Sequence, residues 1–231
     1  RERQKDRAIS PWRRPVFHLC EEISILFRKN TWQILHKCDI ITTNSVGEAM
    51  RIIAGEARGR KLYAPGGEDT RPTADRIRES VFGILGVRVL GARVLDLFAG
   101  SGQLGIEALS RGAGFCTFVD SARASQDLVR QNLTSTGLGA NARVMPMDYL
   151  AFLQSTRETF DIALLDPPYA KGMIDQALPL LAEKMSESGV IVCETDKKEE
   201  LPAQAGPFGI YREYRYGKSK LTVYRRRDSD E

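Results

Sequence analysis

Five short and almost wholly apolar runs, RVLDLF, FCTFVD, ARVMPMD, FDIALLD and GVIVCET, succeed one another between Arg93 and Thr195. Between them lie stretches with helical spacing of apolar residues, among them QLGIEALSRG, RASQDLVRQNLTS and GMIDQALPLLAEKM. Strands that are apolar on both faces need cover on both faces, and amphipathic helices as connections supply it. The pattern therefore predicts an α/β fold: a mostly parallel, Rossmann-like sheet wrapped on two sides. The end of the chain changes rule. FGIYREYRYG and KLTVYRRR flank Lys218 and Ser219 and read as an antiparallel hairpin.

Ahead of the alternation stands RIIAGEARGRKLYAP, two strand-like runs around Ala57-Arg58-Gly59, which predicts an N-terminal hairpin. RPTADRIRESVFGIL follows. Pro72 and Thr73 mark a helix start with Asp75 in its first turn, Ile77, Val81 and Ile84 or Leu85 share a face, and Arg76, Arg78 and Glu79 fall on others. We expect residues 50–231 to form one domain, with the hairpin and helix in 50–90 and the Rossmann-like core in 91–231. Residues 1–49 differ in composition: they hold both histidines, both tryptophans and two of the four cysteines. Two readings of this extension compete, a spurious leader ahead of a start at Met50 and a genuine targeting or regulatory arm. It is assigned no chemistry.

The four cysteines are scattered without metal-ligand or disulfide spacing, which predicts reduced thiols, a cytoplasmic location and no metal centre. No apolar run approaches the roughly 18 residues of a membrane helix, so a soluble protein is expected. A net charge of +4 permits a nucleic-acid partner without requiring one. Residues 50–231 contain no histidine, which excludes histidine-based catalysis from that part of the chain.

The first apolar run opens into Gly100-Ser101-Gly102-Gln103-Leu104-Gly105, which fits the dinucleotide fingerprint G-x-G-x-x-G. That match is weak alone, and the neighbouring charges decide what the loop holds. Ligands of open α/β sheets bind at the carboxyl ends of strands, and four of the five predicted ends carry an aspartate: Asp96, Asp120, Asp148 and Asp166. A pyrophosphate would be repelled there, whereas S-adenosylmethionine carries an ammonium and a sulfonium and no phosphate. Asp96 with Gly100 and Gly102 suits its methionine part, Asp120 its ribose hydroxyls and Asp148 its adenine amine. Taken singly, each aspartate also reads as a helix N-cap.

The fourth end is Asp166-Pro167-Pro168-Tyr169. Two prolines stop a strand and stiffen a turn, but they leave the aspartate and tyrosine unexplained. An exocyclic amine of a nucleobase is a poor nucleophile because its lone pair is delocalised. The Asp166 carboxylate and the Pro167 carbonyl can accept its two N–H bonds, draw the nitrogen toward tetrahedral geometry and stabilise the developing positive charge. Tyr169 offers a face for an unstacked base.

RIIAGEARGRKL, RPTADRIRESVF, LDLFAGSGQLGIEALSRGA and DPPY, in this order, resemble the bacterial 16S ribosomal RNA guanine-N2 methyltransferases over about residues 50–227. The resemblance implies a class I S-adenosylmethionine-dependent fold with a seven-stranded sheet ending in a reversed hairpin. It implies cofactor contacts from Asp96, Phe98, Ala99, Gly100, Ser101, Gly102, Asp120, Ser121, Asp148 and Tyr149, and a catalytic set of Asp166, Pro167, Pro168 and Tyr169. Where this chain has Asp120 the family more often has glutamate. RNA contacts are expected from Arg58, Arg60, Arg71, Thr73 and Arg76, and a second basic cluster, Arg212, Arg215, Lys218, Lys220 and Arg225–Arg227, is expected to extend a phosphate track. The implied partner is 16S ribosomal RNA in a small-subunit assembly intermediate, met by a monomer. Three alternatives stay open: an adenine-N6 or cytosine-N4 amino-methyltransferase on other RNA or DNA, an NAD-dependent oxidoreductase, and a non-catalytic RNA-binding assembly factor.

Overall fold

The computed structural model describes residues 50–64, 72–168 and 172–227, with the side chains of residues 72–74 excepted. The expectations for residues 1–49, for Arg71 and Tyr169, and for the Thr73 side chain lie outside the described residues.

Five strands alternate with helices as the apolar runs require: β1 (Arg93–Asp96), α2 (Gln103–Ser110), β2 (Phe115–Val119), α3 (Arg123–Thr136), β3 (Ala142–Met145), α4 (Tyr149–Ser155), β4 (Phe160–Leu165), α5 (Met173–Ala182) and β5 (Met185–Asp196). Helix α4 is the connection the pattern left unmarked. At seven residues it is too short for helical periodicity to declare itself. Strands β1 to β5 are parallel, and β8 (Ser219–Arg226) and β7 (Phe208–Tyr216) then add antiparallel. With β6 at Gln204–Ala205, the sheet order is β3-β2-β1-β4-β5-β8-β7-β6. The seven expected strands are all present, and the two-residue β6 (Gln204–Ala205) pairs along β7 to make an eighth.

Strand alternation sorts the core into two layers. Val94, Ile162, Leu164, Val190 and Val192 meet α1 (Pro72–Leu85), α2 and α3 through Ile77, Val81, Leu104, Ile106, Val129 and Leu133. Leu95, Ala163, Leu165, Ile191 and Cys193 face α4 and α5 through Phe152, Leu153, Ala177, Leu178 and Leu181. Close approach of α2 to the sheet needs Gly105, where a Cβ would stand 2.3 Å from the Phe118 ring and 2.7 Å from the Cys116 sulfur.

The N-terminal hairpin is present in abbreviated form. One antiparallel bridge joins Arg51 to Lys61, flanked by Ile52 N–H to the Arg60 carbonyl (3.0 Å) and Leu62 N–H to the Met50 carbonyl (2.7 Å). What holds it to the body is buried polar chemistry. The Glu107 carboxylate on α2, 1% exposed, accepts the backbone N–H groups of Ile53 (2.8 Å) and Ala54 (3.0 Å) and the Arg111 guanidinium (2.7 Å). Arg78 lies on a face of α1 other than the Ile77 and Val81 stripe, as its spacing implies, but that face is covered. It is buried, donating to Asp75 (2.7 Å), to the Gln103 side chain (3.0 Å) and to the Arg51 carbonyl (2.8 Å), because α1 is enclosed between the hairpin and α2.

Candidate active site

The winding of the sheet reverses between β1 and β4, where open α/β sheets form their ligand crevice. Asp96 ends β1, and Asp166 follows β4 directly. In register, Leu165 lies opposite Cys193, so the next residues on the two strands are Asp166 and Glu194. Alternation places Asp96, Asp166 and Glu194 on the α1–α3 face. Glu194 is the member of this row that the sequence reading missed. It stands inside GVIVCET, and a search for aspartates at strand ends passed over it.

The crevice is electrostatically unbalanced in one direction. Burial pushes the Asp96 carboxyl up to about 7, although the Gly105 N–H (2.9 Å) favours its charged form; the nearby Asp120 charge raises it further. Asp166 is also raised well above the ordinary carboxylate range, first by burial and then by Glu194 and Asp96. Among the described residues, no basic side chain forms an ion pair with Asp96, Asp120 or Asp166.

The glycine loop directs its own N–H groups at these acids. Gly100, with φ of +54°, donates to Asp120 (2.9 Å), and Ala122 N–H donates to the other oxygen of the same carboxylate (2.8 Å). Gly102 takes a left-handed conformation as the N-cap of α2. Helix N-termini and glycine loops ordinarily attract phosphates, but here the anions are supplied by the protein. Ala99 and Ser101 are buried within the loop, and Ser121 is exposed beyond Asp120. The Cβ position of Gly100 meets no atom within 4 Å, so the loop backbone is open to close approach by a ligand.

Phe98 and Tyr149 form an aromatic wall at the same edge, with ring centroids 5.0 Å apart and planes at 49°. Asp148 keeps its N-cap role: one oxygen accepts Leu150 N–H (2.8 Å) and Ala151 N–H (3.2 Å) at the start of α4, and the residue is exposed. Pro167 is buried and Pro168 exposed. The described atoms thus bring Asp96, Phe98, Gly100–Gly102, Asp120, Asp148, Tyr149 and Asp166–Pro168 to one sheet edge.

Arg58, Arg60 and Arg76 are exposed, and the Arg60 guanidinium also donates to the Thr136 carbonyl at the end of α3. The C-terminal basic cluster divides. Ser219 pairs with Asp196 at the carboxyl edge whereas Arg225 pairs with Val190 near the opposite edge, so Arg225, Arg226 and Arg227 lie away from the crevice. Lys220 is buried, its ammonium 2.9 Å from Glu213. These residues therefore do not line up as a single track.

A doubly wound sheet with a glycine loop and an acidic carboxyl edge defines a Rossmann-like α/β domain of the class I methyltransferase type. The family model described as "Conserved hypothetical protein 95" matches residues 50–225. The chain belongs to this family and groups with the ribosomal RNA small subunit methyltransferases D. It is 42% identical over 183 residues to YlbH of Bacillus subtilis (strain 168), covering 77% of this chain and 100% of that protein. It is 35% identical over 179 residues to "Ribosomal RNA small subunit methyltransferase D" of Escherichia coli (strain K12), covering 77% and 90%. The solved structure of yhhF from Escherichia coli superposes with a TM-score of 0.70 at 36% identity, covering 77% of this chain and 98% of that one.

Proposed function

We propose that this protein transfers a methyl group from S-adenosylmethionine to the exocyclic N2 amine of a guanine in small-subunit ribosomal RNA. The observation that carries the reading is a buried acid without a described cationic partner, Asp96, beneath a glycine loop in which Gly100 N–H is given to Asp120 and Gly102 N–H to the Ala99 carbonyl, while Gly105 N–H at the start of α2 is given to Asp96 itself. Such a site favours a ligand with a cationic end and disfavours a diphosphate, which argues against the dinucleotide alternative. Kinship with the small-subunit methyltransferases supports the choice of substrate.

The residues present fit this cofactor. Asp96 and the Gly100–Gly102 backbone would hold its methionine part, Asp120 its ribose, and Phe98, Tyr149 and the remaining acceptor capacity of Asp148 its adenine. When bound, it supplies an electrophilic methyl on a sulfonium sulfur. The chain does the rest. Asp166 and the Pro167 carbonyl accept the N–H bonds of the target amine and aim its lone pair. The high proton affinity imposed on Asp166 by burial, Glu194 and Asp96 lets this carboxylate take the proton that the methylated nitrogen releases. The stiff Pro167-Pro168 pair keeps the carbonyl and carboxylate in register. Tyr169 would stack on the extruded base, and Arg58, Arg60, Arg71, Thr73 and Arg76 would contact the RNA backbone.

Asp166→Ala tests the assignment. Transfer of labelled methyl to unmodified small-subunit RNA should be lost while calorimetric binding of S-adenosylhomocysteine survives. Near-normal turnover by the variant would remove Asp166 from the chemistry.

A further inference from the structure

Asn132 of α3 is fully buried and spends its side-chain amide on two distant pieces of backbone. Its oxygen accepts Tyr63 N–H (2.7 Å), while its nitrogen donates to the Tyr63 carbonyl (2.9 Å) and to the Ser101 carbonyl (2.9 Å). One amide thus grips both polar groups of Tyr63 as a neighbouring strand would and ties that residue to the glycine loop. A buried amide satisfied through three bonds holds its partners firmly, because breaking any of them leaves a dry polar group unpaired.

The residue so held has an outward-facing ring. Tyr63 is 52% exposed although its main chain is fixed on both sides. Between Arg51 and Ala64 the chain carries Arg51, Arg58, Arg60 and Lys61 against one acid, Glu56, and Arg58, Arg60 and Lys61 are exposed. Among the described residues the other half-exposed tyrosine is Tyr211 of β7, whose ring centroid lies 3.9 Å from the Arg225 guanidinium of β8, toward the opposite edge of the sheet from the crevice. An exposed ring among cations, anchored beside a cofactor loop, has the chemistry of a surface for unpaired bases: phosphates meet the cations and a base stacks on the ring.

We propose that Tyr63 is a base-stacking contact for the RNA substrate and that Asn132 is the positioning residue that fixes it against the cofactor loop. This rests on the reading of the protein as an RNA methyltransferase. It predicts that Tyr63→Ala raises KM for naked, in vitro transcribed small-subunit RNA about tenfold, within the range of one base stacked on an aromatic ring. In the same variant kcat should stay within about twofold and S-adenosylhomocysteine affinity should not change. Tyr63→Phe should restore KM, since the ring face remains. Asn132→Asp keeps the acceptor for Tyr63 N–H but loses both donated bonds, and it should weaken RNA and S-adenosylhomocysteine binding together.

Anisotropy with the same RNA reads the ring without requiring transfer. A wild-type protein that binds RNA but methylates neither free nor assembled small-subunit RNA refutes the methylation reading, while a Tyr63→Ala loss of RNA affinity that Tyr63→Phe recovers still supports the stacking contact. An unchanged KM and RNA affinity in Tyr63→Ala, or Tyr63→Phe behaving like Tyr63→Ala, overturns it.

Discussion

Replacing Glu107 by glutamine removes one charge and no volume, and it strikes the junction that joins the N-terminal hairpin to the body. Both oxygens of the native carboxylate accept: one takes Ile53 N–H, the other Ala54 N–H and the Arg111 Nε–H. A glutamine has one oxygen to offer. Whichever way it turns, its NH2 group faces at least one N–H donor that is left unpaired. A hydrogen bond to a charged group contributes about 1.5–3 kcal/mol, and an unsatisfied buried donor costs about 1–3 kcal/mol; these overlap, because they describe the same lost contact. Arg78, whose Nε lies 3.9 Å from the carboxylate, also loses a compensating charge while keeping Asp75. We therefore expect Glu107→Gln to cost about 3 kcal/mol. At about 2–4 °C per kcal/mol for a domain of this size, Tm should fall by roughly 6–12 °C. Thermal unfolding followed by circular dichroism reads the shift, and limited proteolysis reads whether the hairpin loosens first. A Tm within about 1 °C of wild type, with unchanged cleavage, would show that the carboxylate does not secure the hairpin.

Two glycines give opposite expectations. Gly105→Ala drives a Cβ into the Phe118 ring and the Cys116 sulfur and should cost about 1–3 kcal/mol or more in urea unfolding, whereas Gly83→Ala in α1 meets nothing within 4 Å and should gain about 0.5–1 kcal/mol. The raised Asp96 sets a pH dependence. Between the ordinary value of 3.8 and folded values of about 7 for Asp96 and about 8 for Asp166, the folded protein holds protons that the unfolded chain releases, so stability without ligand should fall as pH rises through that window and level off only above about pH 8. S-adenosylhomocysteine, with its ammonium, should bind more tightly over the same rise and plateau above about pH 7; titration calorimetry from acid to mildly basic pH checks this, and a flat profile would contradict the role given to Asp96.

What the sequence disclosed and what it hid divide along physical lines. Apolar runs and helical spacing are local, so the five parallel strands, α1 and the closing hairpin are legible in the sequence itself. The acidic carboxyl edge was legible too, because strand ends can be located and charges read directly. Glu107 and Asn132 were not. Each reads as an ordinary polar residue on a helix, and its meaning comes from the hairpin backbone, at Ile53 and Ala54 for Glu107 and at Tyr63 for Asn132, more than fifty residues away. The burial of Arg78 is hidden for the same reason: its face of α1 meets the Arg51 carbonyl and Gln103, and a pattern that finds one apolar stripe cannot show that a charged residue lies under a second cover. The split of the C-terminal arginines depends on strand direction and register, which residue types alone do not encode.

The most direct measurement of the central claim is nucleoside analysis by mass spectrometry after incubating the purified protein with S-adenosylmethionine and unmodified small-subunit RNA. The account predicts N2-methylguanosine at one site and its absence with Asp166→Ala. Methylation on adenine N6 or cytosine N4, or RNA recovered without a new methyl group from free and assembled substrate alike, would contradict it.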